Sequence, residues 1–311
     1  MTSPIPNLFL VGCPKTGSSS LQAYLKQHPE TFFSHPKELH FFCSDFHHEA
    51  ETFHGKNNRI FDITRQSDFD RKFEKAGSAK IIAEASTSYM HSRNAAENIF
   101  AYNPNAKIII MLRNPADLLY SWHAYLLFRS EEFEEDFETA LSLEIDRKLD
   151  WNKIPKSVRY PSRIFYSQLV DFPDQIKRYQ SLFPPDQIKI VLTEDLHKDT
   201  LGVYRDLLDF LEIDAEFSPD LTRVNVNRAV RFKRIKWLLD NPLDVIKAQW
   251  RKLPETAFTK KARAIYFSIL AKEQVRSEMD PALRMHILEK QKSIIASTSD
   301  LLDRDLLETW K

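Results

Sequence analysis

A three-layer α/β/α fold around a mainly parallel sheet, with a helical C-terminal extension, is predicted by three observations. Short apolar runs alternate with helical patterns over most of the chain. Two of these runs stop abruptly, one at Gly12 and one at Arg113. The last eighty residues carry helical patterns and no convincing strand.

The first run, NLFLVG (7–12), breaks at glycine, and helical spacing of Leu21, Tyr24 and Leu25 follows in 19–29. Segment 30–62 is aromatic-rich and reads as irregular, with KELHFF at 37–42 and a histidine pair at 47–48 expected on the surface. A charged helix is expected over 68–76, a strand over 80–86 (KIIAEAS) and a helix over 95–102. Segment 106–115 (AKIIIMLRNP) reads as a buried strand stopping at Arg113. Asn114 then serves as N-cap and Pro115 as first residue of a helix to about Phe128.

The acidic run EEFEED (131–136) is expected to lead into a helix ending near Leu149, before a loop with two prolines over 152–162. Segment 163–184 reads as largely helical, and 187–196 as a strand entering a helix that runs to about Leu211. Helices at about 232–251, 257–276 and 281–308 complete the chain, with no internal repeat or low-complexity tract. The expected organisation is one domain over 1–311, an α/β core to residue 230 and a helical part from 231.

Composition excludes several function classes. Among 311 residues, 44 basic side chains balance 44 acidic ones, so no global field draws the chain to nucleic acid or an anionic membrane, and any anion site must be local. Two cysteines, Cys13 and Cys43, make neither a disulfide framework nor a zinc spacing, and Cys13 reads as a small loop residue. No transmembrane run and no basic leader is visible, so the expectation is a soluble, cytoplasmic protein; oligomeric state is not legible. Only five glycines occur, where usage of ~7% predicts about four times as many. Two of them, Gly12 and Gly17, fall in GCPKTGSSSL (12–21), where they serve backbone geometry.

That stretch is a P-loop-type strand-loop-helix whose lysine is displaced. In G-x-x-x-x-G-K-[ST] the lysine follows the second glycine. Here Lys15 precedes Gly17, and Ser18 stands in the lysine's place. Backbone N–H groups and the positive end of a helix suit a phosphate, and Ser18, Ser19 and Ser20 add hydroxyls. A magnesium-dependent phosphoryl-transfer site also wants an acidic residue after a second strand. The strand at 106–113 ends in Arg113 instead, while Glu84 in the strand at 80–86 leaves a metal role open. Arg113 suits a second anionic group, and Ser121 lies on the same side of the following helix as Asn114. Alone, each has a plainer reading: a surface ion pair for Arg113 and a helix back-bond for Ser121.

Together, PKTGSSSL (14–21) and RNPADLLYS (113–121) resemble the two nucleotide-binding motifs of the sulfotransferases that use 3′-phosphoadenosine 5′-phosphosulfate (PAPS). VLTEDLHKD (191–199) and LLDRDLLETW (301–310) are similar to further family segments. The resemblance implies that Lys15, Thr16, Gly17, Ser18, Ser19 and Ser20 hold the 5′-phosphate, and Arg113 and Ser121 the 3′-phosphate. It also implies that PAPS is the donor, 3′-phosphoadenosine 5′-phosphate the product, and no metal is required. Lys15 would then meet the negative charge developing at the bridging oxygen, which explains its position. KELHFF resembles the K-E-x-H-F-F segment of the carbohydrate branch, implying Glu38 as general base, His40 beside the acceptor hydroxyl, and a carbohydrate as acceptor. RVNVNRAVRFKR (223–234) is similar to a segment that folds over the nucleotide, which carries Arg228 and Arg231 over as phosphate contacts. The rival readings are a small-molecule kinase with a degenerate loop and an inactive nucleotide-binding interaction protein.

Overall fold

The computed structural model describes residues 4–222, 228–230, 271–273 and 278–311. Its centre is a five-stranded parallel sheet in the order β2-β3-β1-β4-β5. The strands are β1 (Leu8–Gly12), β2 (Thr31–Phe33), β3 (Ile81–Ala85), β4 (Lys107–Leu112) and β5 (Ile188–Leu192). Alternate side chains of each strand face opposite layers. Leu8 and Leu10 of β1, with Ile109 and Met111 of β4, pack beneath α1 (Ser18–Leu25) and the helix Thr200–Leu211. Phe9, Val11, Ile108, Ile110 and Leu112 enter a larger core on the other face. All five strands run the same way, so every loop leaving a C-terminal edge opens on one side of the molecule. The central strand β1 is where the strand order switches, the usual place for a ligand crevice.

The larger core is covered by α2 (Ser44–His54), α3 (Gln66–Asp70), α4 (Ala95–Tyr102) and α5 (Pro115–Phe128). It also takes α6 (Phe137–Ser142), α8 (Tyr166–Leu169) and α9 (Phe172–Gln180), while α7 (Glu144–Leu149) buries only Glu144 and Arg147. β5 leads into α10 (Thr193–Lys198) and α11 (Thr200–Leu211). The chain ends in α12 (Pro281–Lys290), α13 (Lys292–Leu302) and α14 (Leu306–Thr309), whose Ile287, Ile295 and Leu306 join the same core together with Trp310 just after α14. α5 begins as its sequence dictates: Asn114 Oδ1 accepts from the N–H groups of Ala116 (2.9 Å) and Asp117 (3.3 Å), with Pro115 as first residue.

Three expectations need correction. Segment 30–62 is not irregular: it supplies β2 and α2. His47 is no surface residue; its ring lies 4.2 Å from that of Phe61, and its Nε2 is 2.9 Å from the His40 carbonyl oxygen. The acidic run 131–136 leads into helices that end at Leu149, as expected, and within it Glu131 is buried on Arg163 and Glu132 on Arg147 at 2.7 and 2.9 Å. Finally, the last eighty residues do contain a strand. β7 (Ala271–Glu273) pairs antiparallel with β6 (Arg228–Val230), where a helix over 257–276 was expected. The expected helix at 232–251 lies outside the described residues, and that at 281–308 is three helices separated at Gln291 and at Asp303, whose φ is +48°.

Candidate functional site

A cleft of 1460 Å³ opens at the C-terminal edge of the sheet. Its wall includes Lys15 and Gly17 from the loop after β1, Ser18, Ser19 and Ser20 from the first turn of α1, and Glu38 and His40 from the loop after β2. Arg113 after β4 and Ser121 on α5 complete the set of expected residues that meet there. Thr16 does not face the cleft: it is fully buried, and its hydroxyl donates to the Cys13 carbonyl at 2.6 Å. Arg228 lies in β6, and Arg231 lies outside the described residues.

The loop after β1 depends on its two glycines for different reasons. Gly12 has φ +137°, and a β-carbon there would come within 2.4 Å of the Thr87 carbonyl oxygen and 2.7 Å of Met90 Cβ. Gly17 has φ +84° and only Leu196 Cδ2 at 3.6 Å, so its requirement is conformational. Cys13 is buried, and burial pushes its thiol far above the usual range, which removes it as a nucleophile.

Lys15, Glu38 and His40 all have positive φ, at 65°, 63° and 55°. Left-handed backbone at non-glycine residues costs energy and persists only where neighbours enforce it. The enforcement is visible. Arg113 Nη1 donates to the Lys15 carbonyl at 2.9 Å, and Thr193 Oγ1 lies 3.0 Å from the Thr16 carbonyl oxygen. The Glu38 N–H donates to the Ala85 carbonyl at 3.0 Å, and the Leu39 N–H to Glu84 Oε1 at 3.1 Å. The His40 N–H donates to Ser86 Oγ at 3.0 Å, and Ser86 Oγ in turn donates to Glu84 Oε1 at 2.6 Å. Glu84 is thus a buried bracket for the loop bearing Glu38 and His40, and it is not part of the cleft wall. Burial raises its carboxyl to about 7.

Glu38 remains at the cleft surface, its Oε1 accepting from Thr87 Oγ1 at 3.1 Å and its side chain 36% exposed. His40 Nε2 stands 3.6 Å from Glu38 Oε2, and its Nδ1 lies 2.6 Å from Ser88 Oγ. Burial above all, then the charges of Arg159, Arg163 and His47, holds the His40 imidazole well below its ordinary pKa. The pair is therefore a neutral imidazole beside a carboxylate rather than an ion pair. Aromatic side chains divide by place: Phe42 and Phe46 are buried in the core, whereas Tyr120, Tyr125 and Phe128 of α5 line the cleft. Lys15 Nζ sits 5.4 Å from the Tyr125 ring centre.

Segments 113–121, 191–199 and 301–310 interlock beside this cleft. Asn114 Nδ2 donates to the Trp310 carbonyl at 2.6 Å, the Asn114 N–H to Glu194 Oε1 at 2.9 Å, and Arg304 clasps Asp195 with both terminal nitrogens. Sequence reasoning missed Lys37, whose Nζ donates to Ser18 Oγ (3.1 Å) and Ser19 Oγ (2.9 Å). It also missed Arg284 of α12, which lines the cleft and pairs with Asp117 at 3.3 Å. For Lys37 the signal was its place beside Glu38 in KELHFF; for Arg284 nothing local distinguished it.

A parallel sheet of this strand order, with an anion-ready loop at the edge of its central strand, defines a P-loop-type α/β protein. The sulfotransferase domain family matches residues 6–238, and the chain belongs to that family. Human bifunctional heparan sulfate N-deacetylase/N-sulfotransferase 3 is 27% identical over 214 residues, 67% of this chain and 22% of that protein. Human carbohydrate sulfotransferase 15 is 30% identical over 186 residues, 48% of this chain and 32% of that protein. The chain thus spans about a fifth to a third of the length of these curated relatives. Among solved structures, a sulfotransferase from Alicyclobacillus acidocaldarius is similar at TM-score 0.71 and 26% identity, over 99% of both chains.

Proposed function

We propose that this protein transfers a sulfuryl group from PAPS to an acceptor hydroxyl, that of a carbohydrate or glycoconjugate. The observation that carries the reading is the convergence of Lys15, the hydroxyls of Ser18, Ser19 and Ser20, Arg113, Ser121 and Glu38 on one cleft. This donor set fits a nucleotide with two separate phosphate groups. The loop and the N-terminus of α1 would hold the 5′-phosphate, with Thr16 contributing its backbone only. Arg113 and Ser121 would hold the 3′-phosphate, with Arg228 and Arg231 as further contacts.

When bound, the donor supplies the S–O bond to be broken. Glu38 takes the proton of the acceptor hydroxyl as its oxygen bonds to sulfur, and Lys15 meets the electron pair left on the bridging oxygen of the departing phosphate. His40, neutral and 3.6 Å from Glu38 Oε2, orients the acceptor hydroxyl toward the base. The loop's cation stands where leaving charge develops, so the reading calls for no metal. Two curated relatives are named for heparan sulfate and carbohydrate sulfation, and this supports a sugar acceptor together with the tyrosines of α5.

The test is transfer of label from PAPS to a panel of neutral, acidic and lipid-linked saccharides, with wild type and Glu38→Gln side by side. Loss of about 10²–10⁴-fold in turnover with nucleotide affinity retained is expected of a lost base. Equal turnover of the two proteins removes Glu38 from that role.

A further inference from the structure

Lys37 places a positive charge where the local fold disfavours one. Ser18 and Ser19 are the first two residues of α1, so the Lys37 ammonium lies against the positive end of that helix. It is half-buried, and among the described residues no carboxylate pairs with it. Burial lowers its pKa, with the charges of Glu38 and Glu84 opposing the shift only in part. A helix N-terminus and a desolvated ammonium in contact are mutually unfavourable until an anion joins them.

The location also answers the displaced lysine. In an ordinary phosphate loop the residue after the second glycine is lysine. Here that residue is Ser18, and Lys37 brings its Nζ to 3.1 Å from the Ser18 hydroxyl from a different loop. Lys37 is not itself part of the cleft wall, whereas Ser18, Ser19 and the adjacent Glu38 are. A serine hydroxyl can accept one hydrogen bond and donate another. With Lys37 donating to both oxygens, the protons of Ser18 and Ser19 are left to point at whatever anion occupies the loop.

We infer that Lys37 is a positioning residue for the donor's 5′-phosphate end, acting through Ser18 and Ser19 as a relay that replaces the phosphate-loop lysine in space. It aligns two hydroxyl donors toward the phosphate and sets a cation one hydroxyl behind them. It also stands next in sequence to Glu38, offsetting the repulsion between that carboxylate and an anionic donor. The inference rests on the reading of the loop as the 5′-phosphate subsite.

The experiment compares the affinities of two ligands, adenosine 3′,5′-bisphosphate and adenosine 3′-phosphate, for wild type, Lys37→Met, Lys37→Arg and Ser18→Ala/Ser19→Ala with and without Lys37→Met. Lys37→Met should weaken the bisphosphate about 10- to 100-fold, as expected for charge-assisted hydrogen bonds, and leave adenosine 3′-phosphate unchanged. Lys37→Arg should recover part of that loss. Adding Lys37→Met to the double serine variant should cost little more, because the relay is already broken. Equal losses on both ligands, or fully additive losses, would mean that Lys37 merely supports its loop. A wild type that prefers the bisphosphate, with Lys37→Met keeping that preference, refutes the relay alone. A wild type with no such preference refutes the subsite reading, and the relay with it.

Discussion

Arg113 donates from Nη1 to the carbonyl oxygen of Lys15 at 2.9 Å, joining the end of β4 to the loop after β1. One guanidinium thereby faces the cleft while holding in place a residue whose φ is +65°. The two proposed phosphate subsites are mechanically one unit.

Replacing Arg113 should therefore have two effects. Arg113→Ala is expected to weaken adenosine 3′,5′-bisphosphate by about 10- to 100-fold, and adenosine 5′-phosphate much less, because only the former has a group for it to bind directly. It should also lower turnover at saturating donor, since the Lys15 carbonyl loses its partner. Calorimetric titration with both nucleotides and steady-state kinetics check the two parts. Equal losses for both ligands would remove Arg113 from the 3′-phosphate.

The two loop glycines should differ in cost. Gly12→Ala drives a methyl to 2.4 Å from a backbone carbonyl, so a loss of several kcal/mol, about 2–4, is expected. Gly17→Ala meets only ordinary contact at 3.6 Å and pays for its φ alone, about 1 kcal/mol. Urea unfolding midpoints at unchanged slope measure the difference, and equal midpoints for the two variants would contradict it.

Glu84 makes stability depend on pH in a defined direction. Its carboxyl titrates at about 7 in the folded chain against an ordinary 4.5, so the folded state holds its proton more tightly. The resulting stabilisation is complete below the ordinary value, declines as pH rises between the two, and is gone above the folded value. Relative to Glu84→Gln, the wild type should lose on the order of 3 kcal/mol across that window. Unfolding of both proteins at about pH 5 and about pH 8 reads the change. A difference between them that stays constant would show that Glu84 does not titrate there.

Much of this was legible from the chain, for reasons that differ by element. β1, β3, β4 and β5 lie in dense apolar runs, and α5 announces itself through Asn114 and Pro115. β2 has three residues, too few for a period to show, and α2 (SDFHHEAETFH) carries little apolar signal. The antiparallel pair β6–β7 joins segments about forty residues apart, which no local pattern records. The cleft was legible where a motif carries the residue, as for Lys15, Arg113 and Glu38. It was not legible where residues meet only in space: Lys37 reaches Ser18 from another loop, and Glu84 brackets Leu39 and Ser86.

The central claim is that the loop GCPKTGSSSL holds a donor nucleotide bearing 3′- and 5′-phosphate groups rather than a magnesium triphosphate. Thermal unfolding in the presence of a chelator, with saturating adenosine 3′,5′-bisphosphate, tests it most directly, because a ligand that binds only the folded state raises the melting temperature. A clear upward shift is expected with the bisphosphate in the absence of Mg²⁺, and none with ATP and Mg²⁺. Stabilisation by ATP with Mg²⁺ and none by the bisphosphate would contradict it.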